Sequence, residues 1–475
     1  MNFIVIAITV AIAPLLHSLG SCIYNLFFHP LKSFPGPKLW AASRIPFSYW
    51  KFKGILSYKL KELHDQYGDA VRVAPNFLDY NSSVAWEDIY GFVKAHHKKN
   101  FPKDLMERGV KVNPIKTIIT ADEENHRRFR RIQSHMFSEK ALTSQEPLIQ
   151  DYARQFISGL VKFSSLSSDN SIDIGKWYNF ATFDLIGDLA FGESFDCVKT
   201  GETNSWIDLI FQTIEINSLV NEAKKYPILG ALALFFVPKD LLGKYAHHDK
   251  LAKEKAYRRL DTPRDVPDFM SYIIKHNDTD KGMIREKIGE NASILIIAED
   301  LTIHALASSR YLNAVLEEGL RIYSPVPTTL PRIVPKDGSV VAGQFVPAGS
   351  TVGVNPISSH LSAEYFHLPY EFHPERWLST ADVEHLKSTF PDMKFLDPKI
   401  FENDDRKARQ PFSVGPANCI GKNLAYAETR VLLGNVVWGF DLEGARDSES
   451  WLERNRIYAL WKKPELWVKL KRVNV

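Results

Sequence analysis

The residues with the clearest chemical potential lie in one loop, Phe412-Ser-Val-Gly415-Pro-Ala-Asn-Cys419-Ile-Gly421-Lys-Asn-Leu-Ala425. Two glycines flank a single cysteine. Gly415 permits a tight turn, and Gly421 leaves room for a flat ligand or another backbone to come close. The stretch from Lys422 to Val437 is rich in helix formers and free of proline, so Cys419 falls at or just before a helix N-terminus. Free amide N–H groups and the positive end of the helix dipole favour a thiolate there. A lone thiolate in such a cradle suits the axial position on haem iron, where its electron donation favours O–O cleavage. From the cysteine alone, a buried structural thiol after a turn is the competing reading.

Two other pairs share a helical face. His126 and Arg130 are four residues apart in the basic stretch Asp122–Leu142, and Glu318 and Arg321 are three apart in Tyr311–Tyr323. By themselves these read as a solvated basic face and an ordinary surface ion pair. The chain also carries Cys22 and Cys197, but three cysteines cannot make a disulfide framework.

The pattern Phe-x-x-Gly-x-x-x-Cys-x-Gly-x-x-x-Ala resembles the haem-binding loop of the cytochrome P450 family. Glu318-Gly-Leu-Arg321 and Phe372-His-Pro374-Glu-Arg376 precede it in the family's order. The resemblance implies a mainly α fold with a small β-rich lobe. It also implies haem with Cys419 as iron ligand, Phe412, Gly415 and Gly421 shaping the loop, and a buried structural network of Glu318, Arg321 and Arg376. His126 and Arg130 match the helix whose aromatic-x-x-x-Arg residues contact the haem propionates, with His in place of the usual Trp. Arg332 is a candidate second propionate contact, with a surface arginine as the alternative. One landmark departs: Ala417 stands where the family has Arg or His, so a cation that would pair with a propionate is missing.

The elements that must position these groups come from 475 residues, 45% hydrophobic and 24% charged, with a net charge of +3. This is ordinary globular composition, and it gives no case for a nucleic-acid partner. Phe3–Leu16 is almost wholly apolar, and weaker hydrophobicity continues to Phe28, approaching the roughly 20 residues that span a bilayer. Residues 1–28 are therefore expected to be a single membrane anchor, with a cleaved signal peptide as the alternative. Lys32 and Lys38 follow the run and none precedes it, which keeps the remainder cytosolic. Prolines at 30, 35 and 37 make 29–40 a stiff hinge, leaving 41–475 as the catalytic domain. Helices are expected at Ile55–Tyr67, Ser83–Val93, Asp122–Leu142, Phe183–Gly192 and Tyr311–Tyr323, and strands at Ala70–Pro75, 332–355 and in the C-terminal stretch. Ser205–Leu242 reads as apolar and irregular, a roof over a substrate pocket by resemblance. Asn81, Asn277 and Asn291 begin glycosylation patterns that a cytosolic domain leaves unused.

The chain departs from the family after Lys287–Ala298, which looks like the first half of the long central helix. The expected oxygen-activating sequence does not follow, and only Thr302 stays in register. About twenty residues separate Ala298 from Glu318, roughly 30 Å of helix at 1.5 Å per residue. A segment is missing, through a misjoined reading frame or a degenerate enzyme. The resemblance, closest in phrasing to filamentous-fungal members, implies a monooxygenase of the endoplasmic reticulum membrane. It would insert one oxygen atom from O2 into an apolar small molecule of secondary metabolism, with electrons from NADPH through a cytochrome P450 reductase. The alternatives are a catalytically impaired haem-binding remnant and a haem-thiolate isomerase or dehydratase that needs no reductase.

Overall fold

The computed structural model describes residues 2–92, 100–108, 116–226, 250, 253–262, 268–275 and 304–473. Helix α1 runs from Asn2 to Phe27. From Ile12 onward its apolar side chains, among them Leu15, Leu19 and Phe27, are exposed. The membrane-crossing anchor expected at 1–28 finds no support, because among the described residues no helix is long and apolar enough to cross a membrane. His17, Ser18, Ser21 and Asn25 interrupt the apolar run, and Asn25 Nδ2 donates to Ala42 O at 2.9 Å, docking the helix end on the protein body. The following hinge is docked too. Leu31 is fully buried, Arg72 N–H donates to Pro35 O at 2.8 Å, and Lys38–Ala42 is already helical.

Next come α2 (Ile45–Phe52) and α3 (Leu56–Tyr67), then the antiparallel strands β1 (Ala70–Ala74) and β2 (Phe77–Tyr80). Helix α4 (Ser83–Tyr90) ends at Gly91, short of the expected Val93. The sequence pattern at Asn81 has no access to glycosylation in the folded chain, since Asn81 is buried. The patterns at Asn277 and Asn291, the Lys287–Ala298 helix and Thr302 lie outside the described residues.

The basic helix is shorter than expected. α5 covers Glu123–Gln133, a 3-10 turn follows at Ser134–Phe137, and α6 begins anew at Glu139 and runs to Ser164. The cause is local. Ser138 has extended backbone angles, and its Oγ accepts from Ala141 N–H at 3.3 Å, capping a second helix. α5 itself is fixed by Asp122, whose carboxylate accepts from Asn125 N–H at 2.9 Å, and by acids in its first turn and arginines in its last. Strand β3 (Ser171–Asp173) leads into α7 (Ile174–Phe191). The expected irregular stretch is instead regular at its start: α8 spans Ser205–Ala223, capped by Asn204. Its apolar residues are distributed around the helix, which hides the helical period.

After the central region, α9 (Arg310–Ile322) carries Glu318 and Arg321. Strands β4 (Arg332–Ile333), β5 (Ser339–Val341), β6 (Gln344–Val346) and β7 (Thr351–Val354) follow as expected. β7 runs parallel to β2 and antiparallel to β4, giving a sheet in the order β1-β2-β7-β4. This sheet pairs Arg332 with Val352, so one N-terminal hairpin and one late strand fix the position of Arg332. Helix α10 (Lys422–Gly439) follows the cysteine loop. Of the closing strands, β11 (Trp467–Arg472) lies between β3 and β8 (Phe440–Gly444) and pairs antiparallel with both, while β9 (Arg456–Ile457) and β10 (Trp461–Lys462) form a hairpin. The main core packs α5, α6, α7, α8 and α10 through Phe129, Phe156, Phe180, Ile210 and Val431. A second core under the sheet contains Leu78, Trp86 and Val352.

Candidate active site

The cysteine loop is shaped by its backbone. Gly415 has φ +73°, and a Cβ there would lie 2.0 Å from Tyr90 O, so no other residue fits against the end of α4. Cys419 N–H donates to Phe412 O at 2.8 Å and Asn418 N–H to Gly415 O at 3.2 Å, closing the loop. The half-buried Phe412 ring lies 5.3 Å from that of Tyr426 on α10. Gly421 is the residue before α10, with ordinary backbone angles. A Cβ there would meet only Phe137 and Cys419 Sγ, at 3.8 and 3.9 Å. The fold alone does not require glycine at 421, so the space it leaves is available to a ligand.

Cys419 is accessible, yet burial pushes its thiol pKa up, opposed by Gly421 N–H, Arg130 and Lys422. The Gly421 N–H acts in the direction expected at a helix start, favouring the thiolate. Cys419 stands outside α10 and Gly421 N–H is the amide that reaches it, so in the chain by itself burial prevails.

Basic side chains converge near this loop. Arg130 donates from Nη1 to Asn418 O at 2.6 Å and from Nη2 to Asn418 Oδ1, which binds α5 to the loop. Arg332 is buried, not at the surface. Its Nη1 donates to Phe101 O at 3.3 Å, and its Nε has no partner. His126 is held neutral, its pKa lowered to about 4 by burial and then by Lys103, Arg130 and Arg332. Lys103 bridges Arg332 in the backbone and donates from Nζ to the carbonyls of Ile118 and Ile119. Among the described residues, His126, Arg130 and Arg332 make no ion pair with a carboxylate. The half-buried Arg130 and the buried Arg332 are two like charges beside a neutral imidazole, an arrangement that favours an anion.

Glu318, Arg321 and Arg376 are all fully buried and in contact. Arg321 donates to both Glu318 oxygens at 2.7 and 2.9 Å, and Arg376 Nε lies 3.3 Å from Glu318 Oε2. Glu318 also accepts from His373 N–H at 3.1 Å and Trp377 Nε1 at 2.9 Å. This is a structural network, not a surface pair. It reaches the cysteine loop through His360, which the sequence reading missed. Arg321 donates to His360 O at 3.0 Å, and His360 Nε2 accepts from Gln410 N–H at 3.0 Å, two residues before Phe412. Asp404, also missed, pairs with Arg376, and Arg409 pairs with Glu317. No spacing in the sequence marks these partners, because separate segments supply them: His360 ends the short helix Pro356–His360, and Asp404 and Arg409 lie in the stretch before the cysteine loop.

The cytochrome P450 family model matches residues 35–298 and 281–469. The cytochrome P450 monooxygenase aclL of Aspergillus oryzae is 37% identical, with 98% of each chain covered. The trichothecene C-15 hydroxylase of Fusarium sporotrichioides is 37% identical over 94% of each chain. The averantin hydroxylase of Dothistroma septosporum is 35% identical over 96% of this chain and 90% of its own. The chain belongs to the cytochrome P450 family.

As a cytochrome P450 the chain is an oxidoreductase, and the family implies haem. The residues present fit that group: an accessible thiol, a glycine whose missing Cβ leaves space beside the sulfur, and, among the described residues, the half-buried Arg130 and buried Arg332 without carboxylate partners. A narrow cleft of about 70 Å³ is lined by Phe47, Leu60, Phe77, Thr329 and Pro331, the last adjacent in sequence to Arg332.

Proposed function

We propose that this chain is a haem-thiolate monooxygenase acting on an apolar small molecule of fungal secondary metabolism. Its reaction converts a C–H bond to C–OH, with O2 as oxidant. The second oxygen atom leaves as water, using two electrons from NADPH delivered by a separate flavoprotein reductase, and two protons. The observation that carries this reading is the accessible thiol of Cys419 beside Arg130 and the buried Arg332, which have no carboxylate partner among the described residues. Haem, when bound, supplies an iron centre that activates O2. Cys419 would ligate the iron through Sγ. His126, Arg130 and Arg332, joined by Lys103, would balance the propionates. Glu318, Arg321 and Arg376 hold the loop in place through His360 and Gln410. The apolar cleft would admit the substrate and exclude water. The hydroxylases among the relatives support hydroxylation as the reaction. The exposed apolar side chains of α1 support association with a membrane surface, which is consistent with a location at the endoplasmic reticulum.

The test is a reduced carbon-monoxide difference spectrum followed by turnover with NADPH and reductase. A thiolate-type spectrum with substrate-dependent O2 uptake is expected. Haem loading without any turnover would favour the impaired remnant. The family match falls into two stretches that overlap at 281–298, the region in which a segment is expected to be missing. Alignment with aclL also spans 501 positions against the 475 of this chain, so that relative has positions missing here. Transcript reads across Ala298–Glu299 decide it, since extra codons there would restore the oxygen-activating segment.

A further inference from the structure

A second charged cluster lies outside the cysteine loop. Glu222, in the last turn of α8, is fully buried. Its Oε1 accepts from Arg44 Nε at 2.7 Å and from Ser48 Oγ at 2.5 Å. Its Oε2 accepts from Lys51 Nζ at 3.0 Å and Lys225 Nζ at 3.2 Å. Glu107, in the short helix Leu105–Arg108, pairs with Arg44 and lies 2.8 Å from Lys225 Nζ. A carboxylate near a helix C-terminus opposes the helix dipole, so nothing within α8 favours Glu222 there. Its ties reach other elements instead. Burial pushes its pKa up, but Lys51, Arg44 and Lys225 outweigh that and hold it well below the usual carboxylate range.

The two halves of α8 are held differently. Trp206, Ile207 and Ile210 sink the first half into the main core. Polar ties hold the second half: Glu215 to Lys462 at 2.8 Å, Ser218 Oγ donating to Tyr458 O at 2.8 Å, and the Glu222 cluster. These ties cross the cleft, whose walls include Phe47 and Lys51 of α2, Glu107, Ser218 of α8 and Tyr458. Arg44, Lys51, Lys225 and Glu107 keep between 11 and 19% of their side chains exposed. Water can therefore resolvate them when the contact opens, which an apolar seal would not allow.

We propose that Glu222, with Arg44, Lys51 and Lys225, is an electrostatic latch that holds the second half of α8 against α2 across the cleft, and that its release sets the rate of ligand entry. The inference rests on the haem-thiolate reading only in treating the cleft as the way to the iron.

The test uses the full-length holoenzyme and two readouts. The first is amide hydrogen exchange in residues 215–226 and 45–52. The second is the association rate of phenylimidazole, followed by the Soret shift as its nitrogen reaches the iron. Glu222→Gln is expected to speed exchange about tenfold and phenylimidazole binding at least fivefold. Lys51→Gln, which removes one cation and keeps the carboxylate, is expected to give two- to threefold changes and guards against misfolding of the first variant. Arg127→Gln, at an exposed pair on α5, is the control and is expected to change neither. Exchange unchanged in Glu222→Gln, or faster exchange with phenylimidazole rates within twofold of the parent, overturns the latch. If the parent takes up no haem, the haem reading fails on its own, and the exchange comparison still decides whether the latch exists.

Discussion

Replacing Glu318 by Gln keeps the side chain's shape and removes its charge. The parent network balances two buried arginines, Arg321 and Arg376, against two carboxylates, Glu318 and Asp404. The variant leaves one buried positive charge uncompensated, and its new amide N–H2 group faces donors from Arg321, Arg376, His373 and Trp377. Breaking a buried ion pair from one side costs about 3–5 kcal/mol. The two charge-assisted bonds from Arg321 give a similar sum, at roughly 1.5–3 kcal/mol each. Domains have about 5–15 kcal/mol of stability in total, so the variant should fold with a much reduced margin. Urea unfolding followed by far-UV circular dichroism reads the loss directly, and the carbon-monoxide spectrum should show less haem per chain. Arg310→Ala is the control. Its guanidinium is 75% exposed beside Asp382, and its loss should cost less than about 1 kcal/mol. A loss below about 1 kcal/mol in Glu318→Gln as well would refute the view that this network locks the loop.

Three further outcomes follow from the same geometry. Arg332→Met should stabilise the haem-free chain, because it removes a buried charge that has no carboxylate partner among the described residues, while speeding haem loss from the loaded protein; unfolding and haem transfer to an acceptor globin measure the two. Gly415→Ala should prevent the loop from forming, since it adds a left-handed strain of about 1–2 kcal/mol to a collision with Tyr90 O, whereas Gly421→Ala should leave the unfolding midpoint unchanged and weaken haem uptake. His360 should make stability fall in acid: burial, then Arg409 and Arg321, hold its pKa well below 6.5, so the unfolded chain takes up a proton that the folded chain refuses. This contribution is complete above about pH 6.5 and declines below it by up to about 1.4 kcal/mol per pH unit. His360→Gln should remove that decline between pH 7.5 and 5.5 in urea titrations.

The parts legible in the sequence are those fixed by local spacing. The helix after Cys419, the turn at Gly415, the face shared by Glu318 and Arg321, and the strands around Arg332 follow from short-range periodicity and glycine placement. What sequence reasoning missed depends on tertiary contact. His360 and Asp404 have no pattern of their own, and they matter because the fold brings them to Arg321 and Arg376. The break at Ser134–Ser138 was hidden because helical residues flank both sides of it, and only the capping serine betrays it. Arg332 could be read as a surface residue until its pairing with β7 and its contact with Phe101 placed it inside. The hinge read as a spacer because proline content describes stiffness and says nothing about whether the chain is docked.

The basic cluster also gives meaning to Ala417. A cation within the cysteine loop would tie iron ligation and propionate binding to one short segment. Here the cations come from α5, from β4 and from Lys103, which the backbone bridge holds beside Arg332. The loop contributes the sulfur and the space at Gly421. Separate elements supply the positive charge, and the Glu318 network sets the loop's position through His360 and Gln410. Burial, and then the charges of Lys103, Arg130 and Arg332, keep His126 neutral in the chain alone, and a bound anion would offset those charges. Haem binding therefore does more than fill a slot. Two propionates would neutralise charges from α5 and β4 together, joining the helical body to the β-rich lobe across the site.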